Sequence, residues 1–214
     1  MPLDPLVDPA ALPSMIEPKR TALLIIDVQE DFVSPDGAPG RWGVDTSIYD
    51  KPIARINTLA AAARAKGATP VYIRVVTRPE TDSDALKHLH GRKGRSPGSI
   101  AICRAGTSGA GYYKVSPAPG DIEIEKVLYS SFVGTDLDAR LRAKGIDTLV
   151  VTGFTTDCCV DCTVRDAFHR NYDVFVVTDA TAASEEDLHL GALNGMAKNC
   201  ALLTDTAAVL GAWG

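Results

Sequence analysis

The chain has 214 residues, 45% of them hydrophobic and 23% charged, with a formal net charge of −5. That length suits one large domain with a proper core, and the acidic balance excludes broad electrostatic attraction to nucleic acid or an anionic membrane surface. No apolar run is long enough to span a bilayer, and an odd number of cysteines, five, does not describe a disulfide framework.

The first segment, MPLDPLVDPAALPSMIEPKR, is rich in proline and carries acidic residues where a secretory signal needs a basic start and an unbroken apolar stretch. It reads as an extended N-terminal arm over 1–20. Such an arm would drape over the body or a neighbouring subunit, or fray as a tail; a cytoplasmic location is expected. A single domain over 21–214 follows. TALLIIDV (21–28) reads as a buried strand, PIARINTLAAAARAKG (52–67) as an Ala-rich helix ended by Gly67, and TPVYIRVV (69–76) as the next strand. Between about 78 and 120 the chain is Gly-rich and shows no clear periodicity. DIEIEKVLY (121–129) predicts a strand and TDLDARLRAKG (135–145) a helix capped by Thr135. DTLVVTG (147–153) is another strand, followed by a helix reaching about Arg170. DVFVVTDA (173–180) is a strand, SEEDLHLGALNGMAKN (184–199) a helix opening on a Ser cap, and CALLT (200–204) a last short strand. Continuous Val, Ile and Leu strands alternating with helices predict a three-layer, doubly wound α/β domain. Its mostly parallel sheet would have about six strands, with helices on both faces.

Ligands of such sheets bind beyond the carboxyl ends of the strands. Asp27 closes LLIID, Lys126 ends IEIEK, and Gly153 ends LVVTG. The helix after Gly153 should carry Cys158 and Cys159 in its first turn, with Thr156 or Asp157 as cap. An acid, a base and a thiol thus fall on one rim. A helix N-terminus and a nearby cation would lower the thiol pKa, and the carboxylate could take the thiol proton and return it to a leaving amine.

Other signals have duller readings. Cys158 and Cys162 read as small buried residues, and the cysteine spacing does not supply the four paired ligands of a structural zinc site. His88 and His90 read as part of a solvated basic loop. GTSGAG (106–111) neither ends a strand nor opens a helix, so it reads as a flexible lid or intersubunit loop. Phe32, Trp42, Tyr129, Phe132 and Phe154 either wall a small pocket or pack the core. Arg41 and Arg74 are candidate carboxylate binders, and Gln29, just after Asp27, is a candidate to orient an amide.

LLIIDVQEDF, EKVLYSSFVGTDLDARLRAKGIDTLVVTG, GFTTDCCVDCTVRDAF and VFVVTDATAA resemble the isochorismatase-like cysteine hydrolases; the resemblance is good over 21–34 and 121–183, extends to the C-terminus and is poor across 78–120. The family pattern Gly-x-x-Thr-x-x-Cys-Val falls on Gly153, Thr156, Cys159 and Val160. The resemblance implies a nucleophilic Cys159 with Asp27 and Lys126 as its triad partners. It also implies a cis peptide at Phe154–Thr155 and an oxyanion hole from the amides of Thr155 and Cys159. Gln29, Phe32, Tyr129 and Phe154 are the substrate-binding candidates.

Family members that hydrolyse nicotinamide carry an Asp-x-His…His metal site after the second strand, where this chain reads YIRVVTRPETD. The expectation is therefore hydrolysis of a small linear amide or ureido compound through a thioester, with no metal and no cofactor. Ureidoacrylate, biuret and N-carbamoylsarcosine hydrolases are the models. An isochorismatase-type vinyl ether hydrolase, which needs no thiol, and a silent thiol-based binding or redox protein are the alternatives. The expected partner is the small substrate alone, with neither nucleic acid nor membrane, in a homodimer or homotetramer.

Overall fold

All six residues of β1 (Thr21–Ile26) are buried. A run without polar alternation belongs in the middle of a sheet covered on both faces, and β1 sits there. In the computed structural model, which describes residues 3–214, β1 pairs in parallel with β2 (Thr69–Val75) on one side and β4 (Thr148–Phe154) on the other. β3 (Ile122–Lys126), β5 (Asp173–Ala182) and β6 (Leu202–Thr204) complete an all-parallel sheet of order β3-β2-β1-β4-β5-β6. This is the doubly wound α/β architecture.

Edge strand β3 alternates strictly. Ile122, Ile124 and Lys126 are buried, while Glu123 and Glu125 are exposed. The period of two thus sends a lysine inward on the same face as two isoleucines, and the two outward glutamates discourage edge pairing.

Helices cover both faces. α1 (Asp50–Lys66) ends at Gly67, whose φ of 86° is the left-handed conformation that closes a helix. α2 (Asp84–Arg92), α3 (Leu137–Ala143), α4 (Asp161–Phe168), α5 (Glu186–Asn199) and α6 (Thr206–Trp213) follow. Strand side chains alternate between two core layers. Leu24 and Ile26 join Leu141, Val164 and Leu193, while Leu23 and Ile25 join Ile56, Leu59 and Trp213. Each such aliphatic side chain contributes about 1.5–3 kcal/mol by leaving water.

Four expectations change. The N-terminal segment is not extended throughout: Leu12–Met15 forms one helical turn, and Leu12 and Ile16 are buried. Trp213 Nε1 donates to the Ile16 carbonyl at 2.9 Å, so the segment packs on its own chain; Met1 and Pro2 lie outside the described residues. Asp136, not Thr135, holds the cap position of α3, which begins at Leu137; the Thr135 hydroxyl donates to the Ser131 carbonyl at 2.7 Å and accepts a long bond from Leu137 N at 3.4 Å. α5 opens after Glu185 with no side-chain cap, one residue beyond Ser184.

The fourth change lies in 78–120. It contains α2, whose Ser83 hydroxyl accepts from Leu86 N, but α2 has no fully buried residue and so no strong apolar stripe to read. GTSGAG is a packed strap, since Gly109 and Ala110 are buried there. A Cβ on Gly109 would lie 2.2 Å from Asp31 Oδ2. No helix among the described residues is long and apolar enough to cross a membrane.

Candidate active site

The strand order reverses between β1 and β4, the place where an open α/β sheet leaves a crevice at its carboxyl edge. Ile26 lies opposite Gly153 there. Gly153 has φ 111°, and a Cβ at this position would sit 2.1 Å from the Ile26 carbonyl oxygen. Only glycine lets the two strand ends approach this closely. On the other side of that contact Asp27 leaves the strand with φ 53°, a left-handed conformation that aspartate tolerates better than most residues. Its N–H still donates to the Ile73 carbonyl at 2.9 Å, which ties the turn to β2.

Lys126, from the end of β3, reaches the same point. Its ammonium donates to Asp27 Oδ2 at 2.7 Å, to the Leu128 carbonyl at 3.0 Å and to the Tyr129 carbonyl at 2.7 Å. These bonds use all three ammonium protons. Burial works against the charge, yet the attraction of Asp27, and then of Cys159, holds the Lys126 pKa above its ordinary value. Asp27 is also fully buried, and its Oδ1 has no hydrogen-bond partner among the described residues. Burial raises the Asp27 pKa; Lys126 and the Cys159 thiol oppose that rise without cancelling it.

After β4 the peptide Phe154–Thr155 is cis, and Thr156–Val160 forms a π-helical turn that runs into α4. The turn is wider than an α-helix, an irregularity common at functional positions. The Thr155 carbonyl accepts from Cys158 N at 3.1 Å and Val160 N at 3.2 Å. Neither Thr156 nor Asp157 caps the turn: Thr155 holds the cap position, with no side-chain bond. The Thr156 hydroxyl instead meets His189 Nδ1 of α5 at 2.8 Å. Thr163 donates to the Cys159 carbonyl at 2.7 Å and accepts from Ser131 N at 3.0 Å.

The Cys159 thiol is held in its protonated form, contrary to the expected lowering. Its contact with the Cys158 thiol, burial and the nearby Asp27 charge raise its pKa well above the usual value, against the pull of Lys126. Cys158 is lowered by the same thiol contact, against burial. It is therefore not an inert core residue but a half-buried neighbour that shares the cavity wall. Cys162 is half-buried, and all five thiols are free.

A cavity of about 360 Å³ opens over this rim, with Phe32, Trp42, Tyr129, Phe154, Thr155 and Cys159 in its wall. Of the acid, the lysine and the thiol, only Cys159 lines the cavity; Asp27 and Lys126 stand behind it. Phe154 is held edge-on by Tyr49 at 5.0 Å between ring centroids.

The other predicted residues are engaged elsewhere. Gln29 is completely buried: its Nε2 donates to the carbonyls of Val75 at 2.8 Å and Ala110 at 3.0 Å, and its Oε1 accepts from Val75 N at 2.7 Å. With its amide consumed by backbone, Gln29 fixes the strap to β2 and has no group left for a substrate. Arg74 pairs with Glu125 at 2.8 Å, and Arg41 lies 3.6 Å from Asp31, so neither is a free carboxylate binder. Phe132 packs against Tyr172 in the core. His90 is not in a solvated loop. It sits on α2, half-buried, and lines the cavity with Arg95 and Ser99, neither of which any sequence motif marks.

A larger depression of about 580 Å³ lies at the opposite edge, where Thr148, Asp173 and Leu202 begin their strands. It has no thiol paired with an acid and lies at the strand ends where such sheets do not bind ligands.

The sequence profile of the isochorismatase domain matches residues 21–208. A ureidoacrylate amidohydrolase (RutB) of Methylobacterium radiotolerans is 36% identical over 215 residues, covering 94% of this chain and 83% of its own. A cysteine hydrolase from Pseudomonas syringae pv. phaseolicola superposes with a TM-score of 0.80 at 28% identity, covering 100% of this chain and 97% of that one. N-carbamoylsarcosine amidase from Thermoplasma acidophilum has a TM-score of 0.70 at 28% identity, covering 87% of this chain and 96% of that one.

Proposed function

The chain belongs to the isochorismatase family, and within it we propose that it hydrolyses a C–N bond of a small linear amide or ureido compound, with Cys159 as nucleophile. One observation carries this reading. A buried carboxylate stands behind Cys159, which lines the cavity and is the thiol that acts on the Asp27 carboxyl. The names of its relatives support the substrate class, since a ureidoacrylate amidohydrolase and an N-carbamoylsarcosine amidase both act on ureido groups.

The proposed steps follow from the positions. Lys126 has no proton-accepting capacity, because its ammonium is charged and fully bonded. Asp27 is therefore the base. It takes the Sγ proton as sulfur attacks the carbonyl carbon, so the high resting pKa of the thiol is overcome only when the attack occurs. The carbonyl oxygen becomes an oxyanion held by the amides of Thr155 and Cys159. The tetrahedral adduct collapses, nitrogen leaves with the proton from Asp27, and the acyl group remains on sulfur as a thioester. Asp27 then removes a proton from water as it attacks the thioester, and returns that proton to the departing thiolate. Lys126 keeps Asp27 ionised at the start of each half-reaction. Vinyl ether hydrolysis would leave the cavity-facing thiol without a role.

Ammonia release from ureido acids, carbamoyl amino acids and aliphatic amides tests the reading. The wild-type protein is expected to turn over a ureido member, and Cys159→Ala to be silent with an unchanged circular dichroism spectrum. Undiminished turnover by Cys159→Ala would overturn the mechanism.

A further inference from the structure

Two chemically distinct groups line the cavity. One is Cys159 with the aromatic walls; the other is His90, Arg95 and Ser99, of which Arg95 is exposed and so marks the solvent side, the mouth. His90 Nδ1 lies 2.6 Å from Ser99 Oγ, and Arg95 Nη1 lies 3.4 Å from His90 Nε2. A guanidinium can only donate, so Nε2 accepts and the neutral ring carries its proton on Nδ1. That proton goes to Ser99 Oγ, which leaves the Ser99 O–H free to donate into the cavity. Burial, followed by the charges of Arg95 and Lys93, lowers the His90 pKa and keeps the ring neutral. The positive charge of this cluster is therefore that of Arg95 alone.

Arg95 is also uncommitted. Arg104 and Arg74, nearby, are taken up by Asp82 and Glu125, whereas Arg95 has no ion-pair partner among the described residues. Burial raises the pKa of the Tyr129 phenol, which also lines the cavity, and the Arg95 charge opposes that rise slightly, so Arg95 is felt at the cavity wall. An unpaired guanidinium with an adjacent hydroxyl donor is a recognition element for a planar anion.

We propose that Arg95 and Ser99 form a carboxylate subsite, so that the substrate is a ureido or amide compound bearing a carboxylate, bound with that group at the cavity mouth and its carbamoyl carbon at Cys159. This inference rests on the hydrolase reading above and narrows it to acids. His90 is a positioning residue: its ring orients the Ser99 hydroxyl and does not touch the substrate. In a protein of net charge −5, Arg95, with Lys93 close enough to act on His90, also draws an anion inward against the overall field.

The test uses 3-ureidoacrylate and 3-ureidopropionate, each beside its methyl ester, which keeps the chain and removes the charge. Arg95→Gln is expected to raise KM for the acids about ten- to a hundredfold, the loss of one charge-assisted contact, and to lower kcat/KM for the esters far less, since they lose only a neutral hydrogen bond. Arg95→Lys should recover part of the loss. An equal effect on acid and ester, or none, overturns the subsite. A second readout separates the two readings. Protection of Cys159 from iodoacetamide by the same acids requires binding but no turnover. Protection in wild type that is lost in Arg95→Gln, with no ammonia from any compound, keeps the subsite and removes the hydrolase reading. Hydrolysis with protection indifferent to Arg95 does the reverse.

Discussion

Lys126 Nζ lies 2.7 Å from Asp27 Oδ2, and neither side chain reaches solvent. Both charges have left water, so each is tolerable only because the other is present. Lys126→Met should remove about 3–5 kcal/mol of stability, because it leaves a buried carboxylate without a cation. The double variant Asp27→Asn/Lys126→Met should regain much of that loss while remaining inactive. Urea denaturation of the two variants reads the difference. Equal stability of Lys126→Met and wild type would show that the pair is not held as described.

With Asp27 as the proposed base, the same burial should set the acid limb of activity. Burial raises the Asp27 pKa above its ordinary 3.8, and the opposing pulls of Lys126 and Cys159 do not cancel it. Asp27 must be ionised to accept the thiol proton, so activity is present above its pKa in the fold and is lost as pH falls through it. The acid limb of kcat/KM should therefore lie above the ordinary carboxylate range, and a Lys126→Met protein that folds should shift it further upward. A limb at or below pH 4 would contradict the assignment of Asp27 as base.

The raised Cys159 pKa gives a complementary expectation for the free enzyme. Alkylation of Cys159 by iodoacetamide should be slow at neutral pH and accelerate through the alkaline range, as thiol becomes thiolate. Mass spectrometry must follow Cys159 separately from Cys158, whose pKa is lowered. A Cys159 rate already on its plateau at pH 7 would show a thiolate in the resting state and remove the need for a base in the first step.

Gly153→Ala tests how the two strand ends meet. A Cβ would lie 2.1 Å from the Ile26 carbonyl oxygen, and φ 111° strains any side chain. Both obstacles are backbone, so no rotamer change relieves them. A loss of about 2–4 kcal/mol is expected, along with a larger drop in kcat than a surface Gly→Ala would cause, since Asp27 and the cysteine turn flank the contact. Full stability would mean that β1 and β4 can separate at this point without consequence.

The sheet was legible because its signals are local. Continuous aliphatic runs marked the strands, and Asp27, Lys126 and Gly153 stood out as polar or small residues ending them. The period of two in IEIEK even predicts which way Lys126 faces. Three features were not legible, each for a tertiary reason. Gln29 is a sensible amide binder by position, but Val75 and Ala110 from distant segments consume its amide. The rise in the Cys159 pKa comes from a thiol contact with Cys158, from burial and from Asp27, and only the fold fixes that contact, that burial and the approach of Asp27. Arg95 lies beyond α2, a helix with no buried stripe, so nothing in its surroundings marks the cavity mouth.

Thr156 and His189 offer the last test, because they bear on Cys159, the proposed nucleophile, without touching it. Thr156 is completely buried in the π turn, and its hydroxyl has His189 Nδ1 at 2.8 Å. The bond fastens the turn that carries Cys159 to α5, across a gap of 33 residues in sequence. Burial lowers the His189 pKa, against the attraction of Glu186 and Asp157, so the ring is neutral and the bond does not depend on its charge. Thr156→Val keeps the shape and removes the hydroxyl, leaving a half-buried imidazole nitrogen unpaired at a cost of about 1–3 kcal/mol. A small displacement of the thiol from Asp27 should lower kcat by up to a hundredfold while KM barely moves, because ground-state binding rests on the cavity walls. Thr156→Ser, which restores a hydroxyl, should recover most of kcat. If Thr156→Val loses stability but keeps kcat, the bond braces the fold alone, and the turn holds Cys159 without help from α5.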